Sequence, residues 1–182
     1  MANRYLTAIF IIVIYIGMVL TPYAKAGQQS SPEYQIKVAF LYNFAKFVEW
    51  PEGTFTDPET PLTICILGKD PFGGALKTIA NKTVRGRRLV IHQSESVSSV
   101  EGCHILFVTE SEKNRVRYII DNLKGRSVLT MSDMDDFVEA GGIIGIVQVK
   151  NKIRFHINLG SAHDCGLTIS SKLLKLARKV VR

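Results

Sequence analysis

The 182-residue chain is poor in the residue types that build reaction centres, with four histidines and three cysteines, Cys65, Cys103 and Cys165. It has no Gly-rich loop ending in Gly-Lys-Ser/Thr to cradle a triphosphate and no Gly-x-Ser-x-Gly elbow to expose a serine nucleophile. It also lacks the His-Glu-x-x-His pair that would set two zinc ligands on one helical face. These absences exclude the commonest designs for nucleotide hydrolysis, ester hydrolysis and metalloproteolysis. His163-Asp164-Cys165 groups three metal-capable side chains, but no second cluster completes a tetrahedral set, so a surface loop without metal is expected. Gly68-Lys69-Asp70-Pro71-Phe72-Gly73 lies where α/β proteins often hold phosphate. It departs from Gly-x-Gly-x-x-Gly spacing, and Asp70 would repel an anion, so it reads as a turn and helix cap. No catalytic residue and no cofactor is expected, and a non-enzymatic role follows.

Long apolar runs are equally scarce. The one present is at the start, where Arg4 precedes an apolar stretch from Ala8 to Leu20 and Ala24-Lys25-Ala26 supplies an Ala-x-Ala cleavage pattern. The run falls short of the roughly 20 residues a membrane span needs. Residues 1–26 are therefore expected to be a signal peptide cleaved after Ala26, and residues 27–182 a single exported domain. Removing that segment leaves 21 Lys and Arg against 16 Asp and Glu, a net of +5. The cations look scattered along the chain, and an exported protein rarely meets nucleic acid, so a nucleic-acid partner is not expected. Anionic membrane surfaces or an acidic partner fit this balance better, and a solvated basic surface fits it best.

The most informative stretch is Tyr34 to Pro51. Ile36, Phe40, Phe44, Phe47 and Val48 recur at helical spacing and predict an inner stripe, with Lys37, Asn43 and Lys46 facing water. Five aromatics fall within eleven positions, Phe40, Tyr42, Phe44, Phe47 and Trp50. One helix face cannot hold them all, which leaves aromatic surface at the rim for a partner.

Downstream, Leu62–Leu67 predicts a buried strand, Phe72–Ala80 a helix, and Leu89–His92 and Cys103–Val108 two more strands. A helix from Ser111 to Leu123 carries Val116, Ile119, Ile120 and Leu123 inward. Strand Ser127–Met131, a short helix Met134–Ala140, and a hairpin of Ile143–Val149 with Ile153–Asn158 follow. A last helix is expected over Leu167–Val181. Strands alternating with helices predict an α/β fold, a single-domain three-layer sandwich with a Rossmann-like, mostly parallel sheet and an antiparallel closing hairpin.

In the hairpin, Arg154 and His156 share a strand face with Asn158, while Ile153, Phe155 and Ile157 take the other. An Arg beside a His suits a carboxylate or phosphate. A solvent-facing polar row is the plainer reading. The three cysteines allow three pairings. Cys65 and Cys103 meet only if their strands are neighbours; otherwise they pack as buried thiols.

Four blocks in order carry a family resemblance. They are Ala39-Phe-Leu-Tyr-Asn-Phe-Ala-Lys-Phe-Val-Glu-Trp-Pro51, Cys65-Ile-Leu-Gly-Lys-Asp-Pro-Phe-Gly73, Cys103-His-Ile-Leu-Phe-Val108 and Ile169-Ser-Ser-Lys-Leu-Leu-Lys-Leu-Ala177. Together they resemble the YfiR family, periplasmic proteins that restrain a membrane-bound diguanylate cyclase. The resemblance implies a periplasmic repressor of cyclic-di-GMP signalling, whose partner is the periplasmic domain of that cyclase. It further implies an outer-membrane OmpA-like lipoprotein as competitor, and a homodimer is a further candidate assembly. It implies a Cys65–Cys103 disulfide with redox sensitivity, and a small-ligand role for Arg154 and His156, with Arg88 as a weaker addition. Tyr42, Phe47 and Trp50 are the expected partner-binding residues. A second cysteine pair of some relatives has no counterpart, since Gly142 to Asn158 contains no cysteine. A periplasmic small-ligand sensor is the alternative function.

Overall fold

A computed structural model describes residues 31–182; the expected signal peptide and its cleavage site lie outside the described residues. Helix α1 (Pro32–Phe47) opens with the Ser31 side chain accepting from the Glu33 amide and with proline in its first turn. Strand β1 (Val48–Glu49) follows directly. The main sheet contains β2 (Leu62–Leu67), β3 (Thr83–Val84), β4 (Arg87–Ser94), β5 (Ile105–Val108), β6 (Leu129–Ser132), β7 (Ile144–Val149), β8 (Lys152–Asn158) and β10 (Lys179–Val181). Their order across the sheet is β10-β8-β7-β6-β5-β2-β4-β3. Strands β7, β6, β5, β2 and β4 run parallel, and β8 returns antiparallel to β7. Their hairpin turns on Lys150 and Asn151, both at positive φ, the backbone a two-residue I′ turn requires.

The central strands are buried on both faces, which is why they read as unbroken apolar runs. Period-two alternation splits them between two cores. Ile64 and Ile66 of β2, with Ile105 and Phe107 of β5, join the core under α1. Cys65 and Leu67, with Leu106 and Val108, join the opposite core under helix α2 (Val116–Leu123). These are the three layers expected from the sequence. Because β2 and β5 pair directly, Cys65 and Cys103 lie 5.9 Å apart between Cα atoms and form a disulfide in the α2-side core.

Helix α1 sits rotated from the predicted stripe. Val38, Leu41, Phe44, Ala45 and Val48 are buried, Ile36 is half exposed, and Lys37, expected in water, is buried instead. The reason is electrostatic. The Lys37 ammonium pairs with Asp133 and Glu33, each at 2.5 Å, and Tyr34 donates to Asp133. Burial works against the Lys37 charge, yet the hydrogen bonds it donates to Asp133 and Glu33 outweigh it and hold its pKa above the ordinary lysine value. Phe44 and Phe40 then meet Phe155 of β8 with ring centroids 4.9 and 5.8 Å apart.

Three predicted helices take other forms. Gly73–Thr78 is a 3-10 turn, and residues 134–140 are successive turns with Asp136 at positive φ. The left-handed backbone at Asp136 breaks the helical run there. The predicted last helix is three elements: β9 (Thr168–Ile169), α4 (Ser171–Leu176) and β10. Strand β9 pairs with β1, Ser170 caps α4, and the Val180-Val181 pair adds to the open edge of β8. An available sheet edge and two β-branched residues outweigh the helical pattern there. A short helix α3 (Leu159–Asp164) bridges β8 and β9, capped by the Asn158 side chain.

Closing a 38-residue separation, the disulfide should stabilise the fold by up to about 4 kcal/mol through loop entropy. Urea unfolding of Cys65→Ala/Cys103→Ala against the oxidised parent should show a loss of that order. Non-reducing peptide maps should place Cys65 and Cys103 in one species and leave Cys165 open to alkylation.

Candidate functional site

The amino-terminal ends of the parallel strands converge beneath the segment that leaves α1. Here β1 pairs with β9, Ser170 N–H donates to the Phe47 carbonyl at 2.9 Å, and the chain turns through Trp50 and Pro51. The Trp50 indole N–H donates to the His104 carbonyl at 3.3 Å, which anchors the ring at the mouth of β5. Half-buried Trp50 is edge-on to Phe55, and Phe55 lies flat on the His104 ring, 4.5 Å between centroids and 10° between planes. The Arg87 guanidinium stands 4.0 Å from the Phe55 centroid, a cation–π contact. Its Nη1 donates to the carbonyls of Asp57, Pro58 and Thr60, pinning the loop between β1 and β2.

His104 is the centre of this cluster and is buried. Its Nδ1 accepts from the Thr63 amide at 3.1 Å, so the neutral ring carries its proton on Nε2. Burial, reinforced by the Arg87 charge, drives its pKa down to about 4. Sequence reading did not single out His104, Phe55 or Arg87. The available signal was a histidine immediately ahead of the fully buried Ile105–Val108 run, a position that demands a satisfied, neutral ring.

Clefts open on both sides of the Trp50-Pro51 pair. One of about 310 Å³ is lined by Trp50, Phe55, Leu62, Val84, Arg85 and Arg87. Another of about 530 Å³ is lined by Pro51, Gly53, Cys103, His104 and Arg126 among others. A third, of about 400 Å³, lies across the 124–128 turn, between Ile120, Leu123, Glu139, Ile143 and Cys165. The Cys165 thiol is half-buried, and burial, then the Asp164 charge, push its pKa up, so it stays protonated near neutral pH.

The remaining predicted residues are distributed as follows. Tyr42 is half-buried on the outer flank of α1, with the ammonium groups of Lys46 and Lys82 at 4.0 and 5.2 Å from its ring. Phe47 is half-buried and packs on the α1-side core. Arg154 and His156 do share one face of β8, as the alternation required, and Asn158 is taken up by α3 and the Val138 carbonyl. Arg154 is exposed, while burial, partly opposed by Glu139, lowers the pKa of half-buried His156. Arg88 lies on β4, with β7, β6, β5 and β2 between it and β8, so it does not join them. None of these three lines the clefts around Trp50.

His104 gives this site a pH signature. In the unfolded chain it takes a proton near the ordinary value of about 6.5, but in the folded protein only near 4. Stability is therefore complete above the unfolded value and is lost as pH falls from there toward 4, by at most about 3 kcal/mol. His104→Asn keeps an acceptor for Thr63 but does not titrate. Urea midpoints measured across this range should fall less steeply for the variant, and equal slopes would remove His104 as the cause.

The model of the YfiR/HmsC-like family matches residues 34–178. No curated protein matches the chain. Among solved structures, a conserved domain protein from Vibrio cholerae O1 biovar El Tor strain N16961 is 16% identical, with a TM-score of 0.52. That match covers 82% of this chain and 60% of the other. An ABC domain in complex with L-Trp from "Streptococcus pneumonia" is 13% identical with a TM-score of 0.49, covering 66% of this chain and 55% of that one. The chain thus spans less than two thirds of either structure, and the likeness to the Vibrio cholerae protein concerns fold alone. The family match, in contrast, runs from the first turn of α1 to the residue before β10, and the chain belongs to the YfiR/HmsC-like family.

Proposed function

We propose that this protein binds the periplasmic sensor part of an inner-membrane diguanylate cyclase and holds it inactive, lowering cyclic-di-GMP. Membership of a family of periplasmic regulators of diguanylate cyclase carries the reading. The aromatic residues left at the α1 rim support it. Tyr42 presents a ring flanked by two ammonium groups, and Trp50 stands between two clefts. Partly exposed Tyr and Trp rings fixed by their polar atoms are the usual anchors of protein interfaces. Phe47, packed largely inward, holds this surface in place. No bond in a substrate need be made or broken. Repression requires only tighter binding to the inactive cyclase than to the active one. A differential of roughly a hundredfold, about 2.7 kcal/mol, moves an even equilibrium strongly to one side.

Release follows either from an outer-membrane OmpA-like lipoprotein competing for the repressor or from reduction of the Cys65–Cys103 bond. Deleting the gene should raise cyclic-di-GMP, and returning the parent chain should restore it. Tyr42→Ala, at a half-buried position on the rim of the α1-side core, should fold yet restore poorly and capture the cyclase's periplasmic domain at least about tenfold more weakly. Unaltered cyclic-di-GMP on deletion, in a cell that carries the cyclase, would sink the reading.

A second reading, a small-ligand sensor, is favoured by one observation. The Arg154 guanidinium is exposed beside His156 and, among the described residues, faces no carboxylate partner. Calorimetry with an aromatic acid or a nucleotide should give binding that Arg154→Ala weakens about tenfold or more. Equal binding by both proteins, or none by the parent, would set it aside.

A further inference from the structure

The positive charge of the chain is concentrated in its last stretch. Residues 31–149 hold thirteen Lys and Arg against fifteen Asp and Glu, whereas residues 150–182 hold eight against Asp164 alone. All of the net positive charge beyond residue 30 thus comes from the last stretch. The fold brings that stretch to one side of the molecule. Strand β10 is the outermost strand, β8 lies next to it, and α4 leads straight into β10. Pairing sets Lys179 beside His156, and the Arg178 amide donates to the Phe155 carbonyl at 2.9 Å, so the basic tail runs along β8.

All eight cations are exposed. Among the described residues only Lys179 makes a side-chain ion pair, with Glu139 at 2.7 Å. Sequence neighbours among them, such as Lys150 with Lys152 and Arg178 with Lys179, lie within the Debye length of about 10 Å at 0.1 M salt, so their fields reinforce one another. Apolar side chains are set among them. Leu176, 67% exposed, falls between Lys175 and Arg178, and Val180, 36% exposed, between Lys179 and Arg182. They are two of the four large apolar side chains found exposed among the described residues.

We propose that the β8–β10 edge is a membrane-apposing surface. Its cations meet the phosphates of anionic phospholipid while Leu176 and Val180 enter the headgroup layer. A basic surface with interleaved apolar residues suits that boundary. An added strand from a protein partner suits it less well, because a lysine on a short edge strand discourages pairing. The effect would be to confine the protein to the plane where an inner-membrane partner lies. The inference rests on the periplasmic setting of the family and not on repression, because vesicle binding is read without any cyclase.

Co-sedimentation tests it. The full mature chain should partition onto vesicles of equal parts phosphatidylglycerol and phosphatidylethanolamine at low salt, release at high salt, and ignore phosphatidylcholine. Each cation removed near the surface costs about fivefold, so Lys172→Gln/Lys175→Gln/Arg178→Gln should lower the partition coefficient about a hundredfold. The control Lys69→Gln/Lys77→Gln/Arg88→Gln makes the same change in net charge elsewhere and should bind like the parent. Thermal unfolding of both triples should match the parent. Leu176→Ser should weaken the binding that survives at intermediate salt. A chain that stays in the supernatant, binds neutral vesicles equally, or loses as much in the control as in the edge variant overturns the proposal. So does a chain that ignores vesicles yet binds polyglutamate, which would assign the edge to an acidic protein. Repression lost while vesicle binding persists would count against the repressor reading alone.

Discussion

The burial of β2 on both of its faces is the constraint from which the rest of the structure follows. A six-residue strand with every side chain buried must be covered twice, by α1 on one side and by α2 on the other. That requirement puts β2 in the interior of the sheet, where its neighbours β4 and β5 run parallel to it and are joined by crossovers. The disulfide is a direct result. Cys65 can reach Cys103 only because the chain enters β5 beside β2 and on the α2 side.

Polar groups inside such a fold are tolerated where each finds a partner, and two of them set the geometry around the candidate site. Lys37 is buried because Asp133 and Glu33 close on it, and this fixes the rotation of α1. Were the helix turned to bury Ile36, the Asp133 carboxylate would lose its cation. His104 is buried because the Thr63 amide satisfies Nδ1, and its neutral ring supports Phe55 and, through its carbonyl, Trp50. The placement of Tyr42 and Trp50 thus depends on two interior polar contacts, Lys37 with Asp133 and His104 with Thr63.

Much of this was legible in order along the chain. The two-sided burial of Leu62–Leu67, the inward stripe Ile119, Ile120 and Leu123, and the shared face of Arg154 and His156 all follow from periodicity. The last element did not. A stripe of Ile169, Leu173, Leu176 and Val180 satisfies the helical period, yet Leu176 and Val180 are exposed. The edge of β8 offered hydrogen bonds that no local pattern announces. The same limit hid the cluster at Trp50, since Phe55, Arg87 and His104 lie far apart in sequence and meet only where loop and strands converge.

By itself, then, the sequence determined the class of fold, the strands that had to be interior, and the family, because these rest on short-range periodicity and on ordered blocks of residue types. Tertiary structure decided which face of α1 turned inward, whether two cysteines met, and that the basic last stretch lies along the β8 edge. Each of these depends on groups remote in the chain. Local propensities constrain a residue's own backbone and nearest turn, whereas ion pairs, edge strands and electric fields are settled by whichever distant segment comes to lie beside it.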